Sequence, residues 1–190
     1  MDLLTVAGHK MYAPKGVGAL YVWPGMTIEP MVFGGGQEGG LRPGTENVPY
    51  IVGLGKAAEL ALTDIAQEAE SQVEIRRLME AALTDLWDPG VVVYGKSAPR
   101  LPNTVYCGFR KLNAGDILSG LMARDVAVSG GAACHGDGTD ISYVLEAMGA
   151  PLDVAPGTIR FSWGRSTSTM MALDLLKRLG DVLDELGGEG

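Results

Sequence analysis

The sequence predicts an α/β fold built as two domains. Hydrophobic residues make up 46% of the 190 residues, which is enough to bury a substantial core. Short runs rich in branched and aromatic residues alternate with segments of helical periodicity, and one long helical segment separates two such groups. We expect one domain over residues 1–60 and a second over residues 61–190, with the boundary near Leu60 inside the long helical segment.

The first 22 residues predict a pair of strands. Residues 3–6 and 17–22 have strand-like composition, and the Ala-Pro-Lys-Gly sequence of residues 13–16 predicts a turn between them. The first strand follows directly on Met1 and Asp2, with no preceding element to cover its edge. We therefore expect the chain to begin in the middle of a domain.

Lys10 lies where the first of these strands ends, beside His9. A lysine at a strand end is either a solvated charge or an amine that forms a Schiff base, which needs a partly desolvated site. A neighbouring histidine is more typical of functional sites than of plain surfaces. Position alone leaves both interpretations open.

Residues 33–47 form a glycine-rich segment, FGGGQEGGLRPGTEN, which predicts a long loop. Gly34, Gly36 and Gly39 match the dinucleotide pattern GxGxxG, but that pattern requires a helix directly after the glycines, and a proline follows instead. Exposed amides with Arg42 and Thr45 could together bind one phosphate group. A mobile surface loop is the alternative.

The rest of the chain predicts a long helical region followed by alternating strands and helices. Residues 49–87 have helical periodicity and form either two helices or one bent helix. The predicted strands are 91–94, 104–109, 126–129 and 158–163. The predicted helices are 115–124, 142–148 and 169–186. In the last helix we expect five leucines to face inward: Leu173, Leu176, Leu179, Leu183 and Leu186.

Composition excludes several classes of function. The net charge is −8 and no basic cluster is long enough to follow a phosphate backbone, which argues against nucleic acid as a partner. No uncharged run approaches the roughly 20 residues that span a bilayer. No CxxC or HExxH pattern predicts a metal site, and two cysteines cannot form a disulfide framework, so we expect a reduced, cytoplasmic setting.

The two cysteines have contrasting surroundings. Cys107 lies within the apolar strand LPNTVYCGF and is expected to be buried and inert. Cys134 lies in the run of glycines and small residues at 128–140, next to His135. An accessible thiol beside an imidazole is a candidate nucleophile.

Two arginines follow near the C-terminus. Arg160 shares strand parity with Thr158 and Ser162, which places it on the less apolar face of its strand. It is either an exposed cross-strand residue or a bidentate ligand for a carboxylate. Arg165 is expected to be structural.

Six segments occur in an order that resembles a known family. They are AGHKMYAPKGVGALYV, GGGQEGGLRPGTEN, RLPNT, SGGAACHGDGTD, SYVLEAMG and IRFSWGRST. Together they resemble the C-terminal half of the pyridoxal-phosphate-dependent cysteine desulfurases and selenocysteine lyases, within the class V aminotransferase group. The resemblance implies the C-terminal part of an aspartate-aminotransferase-like fold, found in a homodimer. Residues 1–60 then match the end of the large cofactor-binding domain, and residues 61–190 match the small domain with the cysteine loop.

The resemblance also implies a role for each candidate residue. Lys10 matches the Schiff-base lysine, with His9 near the cofactor phosphate, and Thr45 matches the threonine that reaches the phosphate of the partner subunit. Cys134 matches the cysteine that accepts sulfur as a persulfide, and Arg160 matches the arginine that holds the substrate carboxylate. The implied substrate is cysteine, or alternatively selenocysteine, with alanine as product. The implied context is sulfur delivery to an acceptor protein in iron–sulfur cluster assembly.

Two departures from the family pattern affect these expectations. Ala7 stands where many desulfurases have a phosphate-binding serine. The family's N-terminal half, which supplies the aspartate at the pyridine nitrogen and the histidine stacked on the ring, has no counterpart in this sequence. The chain is thus expected to be half of an enzyme, either a part of a longer protein or a split subunit that needs a separate N-terminal partner. The alternative is a stand-alone, non-catalytic domain in which Cys134 serves as a sulfur carrier or scaffold.

Overall fold

The computed structural model describes residues 1–87, 89–130 and 142–187. It contains two compact units, Met1–Ala66 and Gln67–Gly190. Their division falls a few residues beyond the predicted boundary at Leu60 and within the same helix. The assignment of the units to a cofactor-binding portion and a cysteine-loop domain stays a prediction.

The first unit opens with the predicted strand pair. Strands β1 (Leu3–Ala7) and β2 (Gly18–Val22) are antiparallel, with Leu3 opposite Val22 and Ala7 opposite Gly18. A short 3₁₀ helix, Gly8–Met11, follows β1 directly. A second 3₁₀ segment, Gln37–Gly40, lies in the glycine-rich loop.

Helix α1 (Val48–Trp87) is one continuous helix of 40 residues, which settles the alternative of two helices in favour of one. Its first turns pack against the hairpin turn: a Cβ on Gly53 would lie 3.0 Å from the Cδ of Pro14, so the absence of a side chain permits this approach. The described residues leave the apolar stripe on this half of α1 uncovered, because Leu62 and Ile65 are 83% and 65% exposed.

The second unit contains a four-stranded antiparallel sheet in the order β3-β4-β6-β5. Its strands are β3 (Val91–Val93), β4 (Thr104–Phe109), β5 (Ser129–Gly130) and β6 (Thr158–Ser162). Because β4 and β5 are each antiparallel to β6, they run parallel to one another on either side of it. The predicted strand–helix–strand alternation therefore forms a βαβ unit that is split by β6.

Three shorter helices complete the second unit, and each begins at a polar cap. They are α2 (Ala114–Met122), α3 (Tyr143–Ala147) and α4 (Thr169–Glu185). The caps are Asn113, Ser142 and Ser168, whose side-chain oxygens accept hydrogen bonds from backbone N–H groups of the first turn. Among the described residues, no helix has the length and apolar character required to cross a bilayer.

The main core lies between one face of the sheet and the helices α2, α4 and the second half of α1. The largest fully buried side chains include Met79, Leu83, Val105, Ile117, Leu121, Ile159, Phe161, Leu179 and Leu183. A smaller cluster on the other face contains Tyr94, Leu145, Val154 and Ala155. The prediction for α4 is right for three leucines and wrong for Leu173 and Leu186, which are 46% and 37% exposed; Leu186 follows the last helical residue.

Strand β5 differs from the predicted strand at residues 126–129. Asp125 adopts a left-handed conformation with φ of 58°, and the N–H of Val126 bonds to the carbonyl of Leu121 at 3.0 Å. This is the Schellman arrangement that ends a helix, so the backbone of Val126 closes α2 and is not available for a strand neighbour. Pairing with β6 begins only at Ser129.

Candidate active site

Lys10 lies in a turn that is fixed tightly to its neighbouring strand. The N–H of Gly8 donates to the carbonyl of Val17 at 3.0 Å, and a Cβ on Gly8 would lie 2.7 Å from that oxygen, so only glycine fits. Tyr12 ends the turn in a left-handed conformation with φ of 68°. The backbone that carries Lys10 is thereby held by β2, and the lysine follows β1 closely, as predicted.

The side chains of His9 and Lys10 are both exposed. The sequence argument required a partly desolvated amine, and the described residues do not provide that environment. To the described residues, Lys10 makes no hydrogen bond or ion pair. An accessible, unpaired amine on a fixed turn fits covalent attachment to a carbonyl-bearing cofactor such as pyridoxal phosphate. No cluster of potential metal ligands occurs among the described residues.

Thr45 lies in the loop that precedes α1, and its side chain is exposed. The loop is closed by a hydrogen bond from the N–H of Gly44 to the Oε1 of Gln37 at 3.2 Å, and Gly44 has φ of 107°. Arg42 donates to the carbonyl of Pro43 at 2.8 Å. Among the described residues, no hydrogen bond connects Thr45 to Lys10, so within this chain the two are separate groups. No helix follows the glycines before α1 at residue 48, which removes the structural basis for a dinucleotide site.

Arg160 lies in the middle of β6 on the face opposite the main core, as its strand parity predicted. It is directly opposite Tyr106 on β4 and Ser129 on β5, so these three side chains share one face of the sheet. Arg160 is exposed. Sequence reasoning did not select Tyr106, although its alternation with the buried Cys107 was sufficient to place it on this face.

Arg160 forms no ion pair with a described residue. In the same unit, six arginines do pair with carboxylates: Arg76, Arg100, Arg110, Arg124, Arg165 and Arg178. Arg165 bonds to Glu68 at 2.9 Å, which agrees with its predicted structural role. An exposed guanidinium that pairs with no carboxylate in the described part of the chain is suited to bind the carboxylate of a ligand.

The aromatic rings of Tyr94 and Tyr106 extend the row that contains Arg160. Their centroids lie 5.5 Å apart at an interplanar angle of 48°, and the N–H of Tyr94 donates to the carbonyl of Tyr106 at 2.8 Å. Burial raises the pKa of the Tyr106 phenol, the neighbouring Tyr94 adds to the rise, and the Arg160 guanidinium lowers it in part. Burial also raises the pKa of the Tyr94 phenol, and the Thr158 hydroxyl partly offsets this rise.

Cys134 falls in residues 131–141, outside the residues that the structure describes, and so does His135. The last described residue before this range is Gly130, which pairs with Ile159, the neighbour of Arg160. Cys107 is fully buried in the main core, and burial raises the pKa of its thiol. The prediction that Cys107 is a packing residue is confirmed by this burial.

A cavity of about 360 Å³ lies elsewhere in the second unit. It is lined by Lys111, Leu112, Asn113, Asp116, Asp153, Pro156 and Leu186. None of the candidate site residues contributes to it, and its concave shape alone does not make it the active site.

Comparison with known proteins defines the class to which this arrangement belongs. The chain is a member of the aminotransferase class-V family, whose model matches residues 1–172. Within that class, the chain is similar to cysteine desulfurases. It is 41% identical over 187 residues to a cysteine desulfurase from Nostoc sp., covering 98% of this chain and 46% of the relative. It is 39% identical to the cysteine desulfurase IscS from Dictyoglomus turgidum, covering 96% of this chain and 47% of the relative.

Solved structures of NifS-like proteins share the fold. One superposes with a TM-score of 0.85 at 31% identity, covering 97% of this chain and 47% of that protein. A NifS-like protein from Rickettsia africae gives a TM-score of 0.86 at 29% identity, with 97% and 48% covered. The predicted α/β class and the resemblance to class V aminotransferases are both confirmed. The chain spans about half the length of the relatives it matches.

Proposed function

We propose that this chain is the part of a pyridoxal-phosphate-dependent cysteine desulfurase that supplies the cofactor lysine, the substrate arginine and the sulfur-accepting cysteine. The observation that carries this proposal is the state of Arg160. It is exposed on the sheet face opposite the main core, pairs with no carboxylate among the described residues, and lies opposite Ser129 on β5. A free amino acid offers the carboxylate that such a guanidinium binds.

Lys10 would hold the cofactor through its side-chain amine, and the same amine would move protons at the substrate carbons. When bound, pyridoxal phosphate supplies the electron sink for chemistry at the α-carbon. His9 and Thr45 are the polar groups assigned to the cofactor phosphate, with Thr45 serving a partner subunit. The exposure of Thr45 and the fixed turn at Gly8 support these roles.

Cys134 accepts the sulfur. Its thiolate attacks the sulfur atom of the substrate, an S–S bond forms as the substrate Cβ–S bond breaks, and the electron pair left on the carbon takes up a proton to yield alanine. The sulfur remains on Cys134 as a persulfide and passes to an acceptor protein for iron–sulfur cluster assembly. Selenocysteine is the alternative substrate, and it is distinguished by release of selenium.

A second protein surface is required to complete the first unit. Within residues 1–66, the buried residues are only Gly8, Ala13 and Ala57, which form too small a core for independent stability. Exposed apolar side chains on the hairpin and on α1 offer a large contact area; they include Leu20, Trp23, Phe33, Val52 and Leu62. The proposed partners are a second copy of the enzyme in a homodimer and an N-terminal half of the family fold, in a cytoplasmic setting.

Covalent attachment of the cofactor tests this proposal. Purified protein is incubated with pyridoxal phosphate, reduced with borohydride and mapped by mass spectrometry. We expect the label on Lys10, and a visible absorbance band that is lost in Lys10→Ala but kept in Lys15→Ala, a control on the same hairpin turn. Label on other lysines only, or no band with excess cofactor, would favour the non-catalytic domain.

A further inference from the structure

The neighbourhood of Arg160 contains two tyrosines to which the proposed function gives no role. Tyr94, which directly follows β3, lies in one row with Tyr106 on β4 and Arg160 on β6, on the face of the sheet opposite the main core. The row begins in a packed cluster, where Tyr94 is 9% exposed beside Leu145, and it ends at the exposed guanidinium. Burial thus decreases steadily along the row toward Arg160.

Tyr106 is the link between these two ends. Its backbone is directly opposite Arg160 in the antiparallel ladder, and such pairs have Cβ atoms about 5 Å apart. Its ring contacts that of Tyr94 with centroids 5.5 Å apart, so Tyr106 is supported from the buried side. On the other side of Arg160 stands Ser129, a short side chain that offers little lateral support.

An unpaired arginine side chain is mobile because its rotamer freedom is restricted only by what it touches. A guanidinium beside an aromatic ring gains a cation–π contact, which is stronger where water is partly excluded. Tyr106 is half-buried, and burial together with Tyr94 raises the pKa of its phenol, so the ring is neutral at neutral pH. A neutral ring stabilises the guanidinium without competing with a substrate carboxylate for it.

We propose that Tyr106 is a positioning residue that holds the guanidinium of Arg160, through its ring, in the orientation that binds the carboxylate of an amino-acid substrate. Tyr94 supports that ring from the packed side. The inference rests on the proposed function for its substrate, but the cross-strand pairing of Tyr106 with Arg160 does not. The aromatic ring of Tyr106 is thereby expected to affect the affinity for substrate and not the rate of the chemical step.

The contact itself is tested without cofactor or activity. Tyrosine labelled with carbon-13 at Cζ reports each phenol separately by NMR, and Tyr106→Phe identifies the Tyr106 signal. In Arg160→Gln we expect the Tyr106 phenol to ionise at higher pH, because the positive charge that favours the phenolate is gone. Propionate, a carboxylate probe, should shift the same titration upward in wild type but not in Arg160→Gln, and neutral propionamide should have no effect. An unchanged titration in Arg160→Gln would overturn the inference even if the protein desulfurates cysteine.

The consequence for substrate is tested with the holoenzyme and L-cysteine. Tyr106→Ala should raise KM by about tenfold with little change in kcat, since a partly desolvated cation–π contact contributes roughly that factor. Tyr106→Phe should restore KM because it keeps the ring. Tyr143→Ala, which alters a tyrosine that is 71% exposed on α3, should leave both constants unchanged.

A fall in kcat alone, or equal KM values in Tyr106→Ala and Tyr143→Ala, would refute the positioning role. Absence of activity in every variant, with the NMR linkage intact, would instead refute the proposed function.

Discussion

At the scale of single residues, burial and charge pairing determine whether a cysteine or arginine side chain is accessible to a ligand. Cys107 is fully buried in the main core, and its thiol pKa is raised because burial disfavours the thiolate. Arg160 is exposed and has no carboxylate partner among the residues that the structure describes, whereas Arg100 is paired with Glu80. Exposure to solvent, rather than residue type, distinguishes Arg160, a candidate site residue, from the paired arginine and the buried cysteine.

The raised pKa of Cys107 predicts a pH dependence of stability. The folded thiol keeps its proton above pH 9.0, the ordinary pKa of a thiol, whereas the unfolded thiol loses it, so stability is complete below this pH and decreases as the pH rises. Replacing Cys107 with alanine should remove up to about 1.4 kcal/mol per pH unit from the alkaline slope of the unfolding free energy. Urea denaturation of both proteins from pH 7 to 11 measures the slopes, and parallel curves would disprove the assignment.

Gly157 precedes β6 and fixes the approach of that strand. A Cβ at this position would lie 2.2 Å from the carbonyl oxygen of Phe109 and 2.9 Å from that of Leu112, and backbone atoms cannot move aside cheaply. Gly157→Ala should lower the unfolding free energy by about 2 kcal/mol or more. Gly55→Ala, where the Cβ meets open space on α1, is the control and should be neutral or slightly stabilising. Equal thermal unfolding of the two variants would contradict this account.

At the scale of elements, side-chain ion pairs attach connecting segments to α1. Glu80 on α1 is 9% exposed and bonds to Arg100, which lies between β3 and β4. Arg76, one turn earlier, approaches the same carboxylate at 3.8 Å. The pairing satisfies a carboxylate that would otherwise be costly to bury.

Removal of the Arg100 charge should therefore cost more than removal of a surface charge. Arg100→Met should destabilise the protein by about 1–3 kcal/mol, because Glu80 keeps its charge in a largely buried place. Lys56→Met removes an exposed pair with Glu59 and should change stability by less than about 0.5 kcal/mol. Chemical denaturation at neutral pH measures both, and similar losses would show that Glu80 is adequately solvated.

Local patterns predicted most elements because hydrophobic periodicity reports which face is buried. β4 was predicted with the bounds that the structure shows, and the helices α2, α3 and α4 with ends that differ by one or two residues. β5 was misplaced because the backbone of Val126 serves the helix cap, a competition that strand propensity does not reveal. Antiparallel pairing and the insertion of β6 between β4 and β5 depend on long-range contacts that periodicity does not encode.

The candidate site was predictable in part for the same reason. Lys10 and Arg160 were placed correctly on a turn and on the open face, since strand ends and strand parity are local properties. The pairing of Arg160 with Tyr106, and the contact between the rings of Tyr106 and Tyr94, depend on how strands pair and were not accessible from sequence. The roles of Lys10, His9, Thr45, Cys134 and Arg160 in catalysis stay predictions.

At the scale of the whole molecule, the two units differ in how well they are buried. The second has a continuous core between sheet and helices, whereas the first exposes apolar residues along α1 and the hairpin. Contiguous exposed apolar surface typically marks a protein interface. The chain spans about half the length of the cysteine desulfurases that it matches.

This difference predicts self-association or complex formation through the first half of α1. Replacing Leu62 and Ile65 together with lysine should shift the protein toward monomer in analytical ultracentrifugation, since both side chains are largely exposed one helical turn apart. Leu152→Lys alters an isolated side chain in the second unit that is 79% exposed and should leave the assembly unchanged. A monomeric wild-type protein at all concentrations would contradict self-association.

The central claim is that this chain carries the sulfur-accepting step, and transfer of labelled sulfur tests it most directly. Holoenzyme is incubated with L-cysteine carrying radioactive sulfur, and the bound label is located by peptide mapping before and after reduction. We expect thiol-reducible label on Cys134, lost in Cys134→Ser and retained in Cys107→Ser, with alanine formed in equal amount. Label on Cys107, equal loss in both variants, or no label on wild-type holoenzyme would contradict the account.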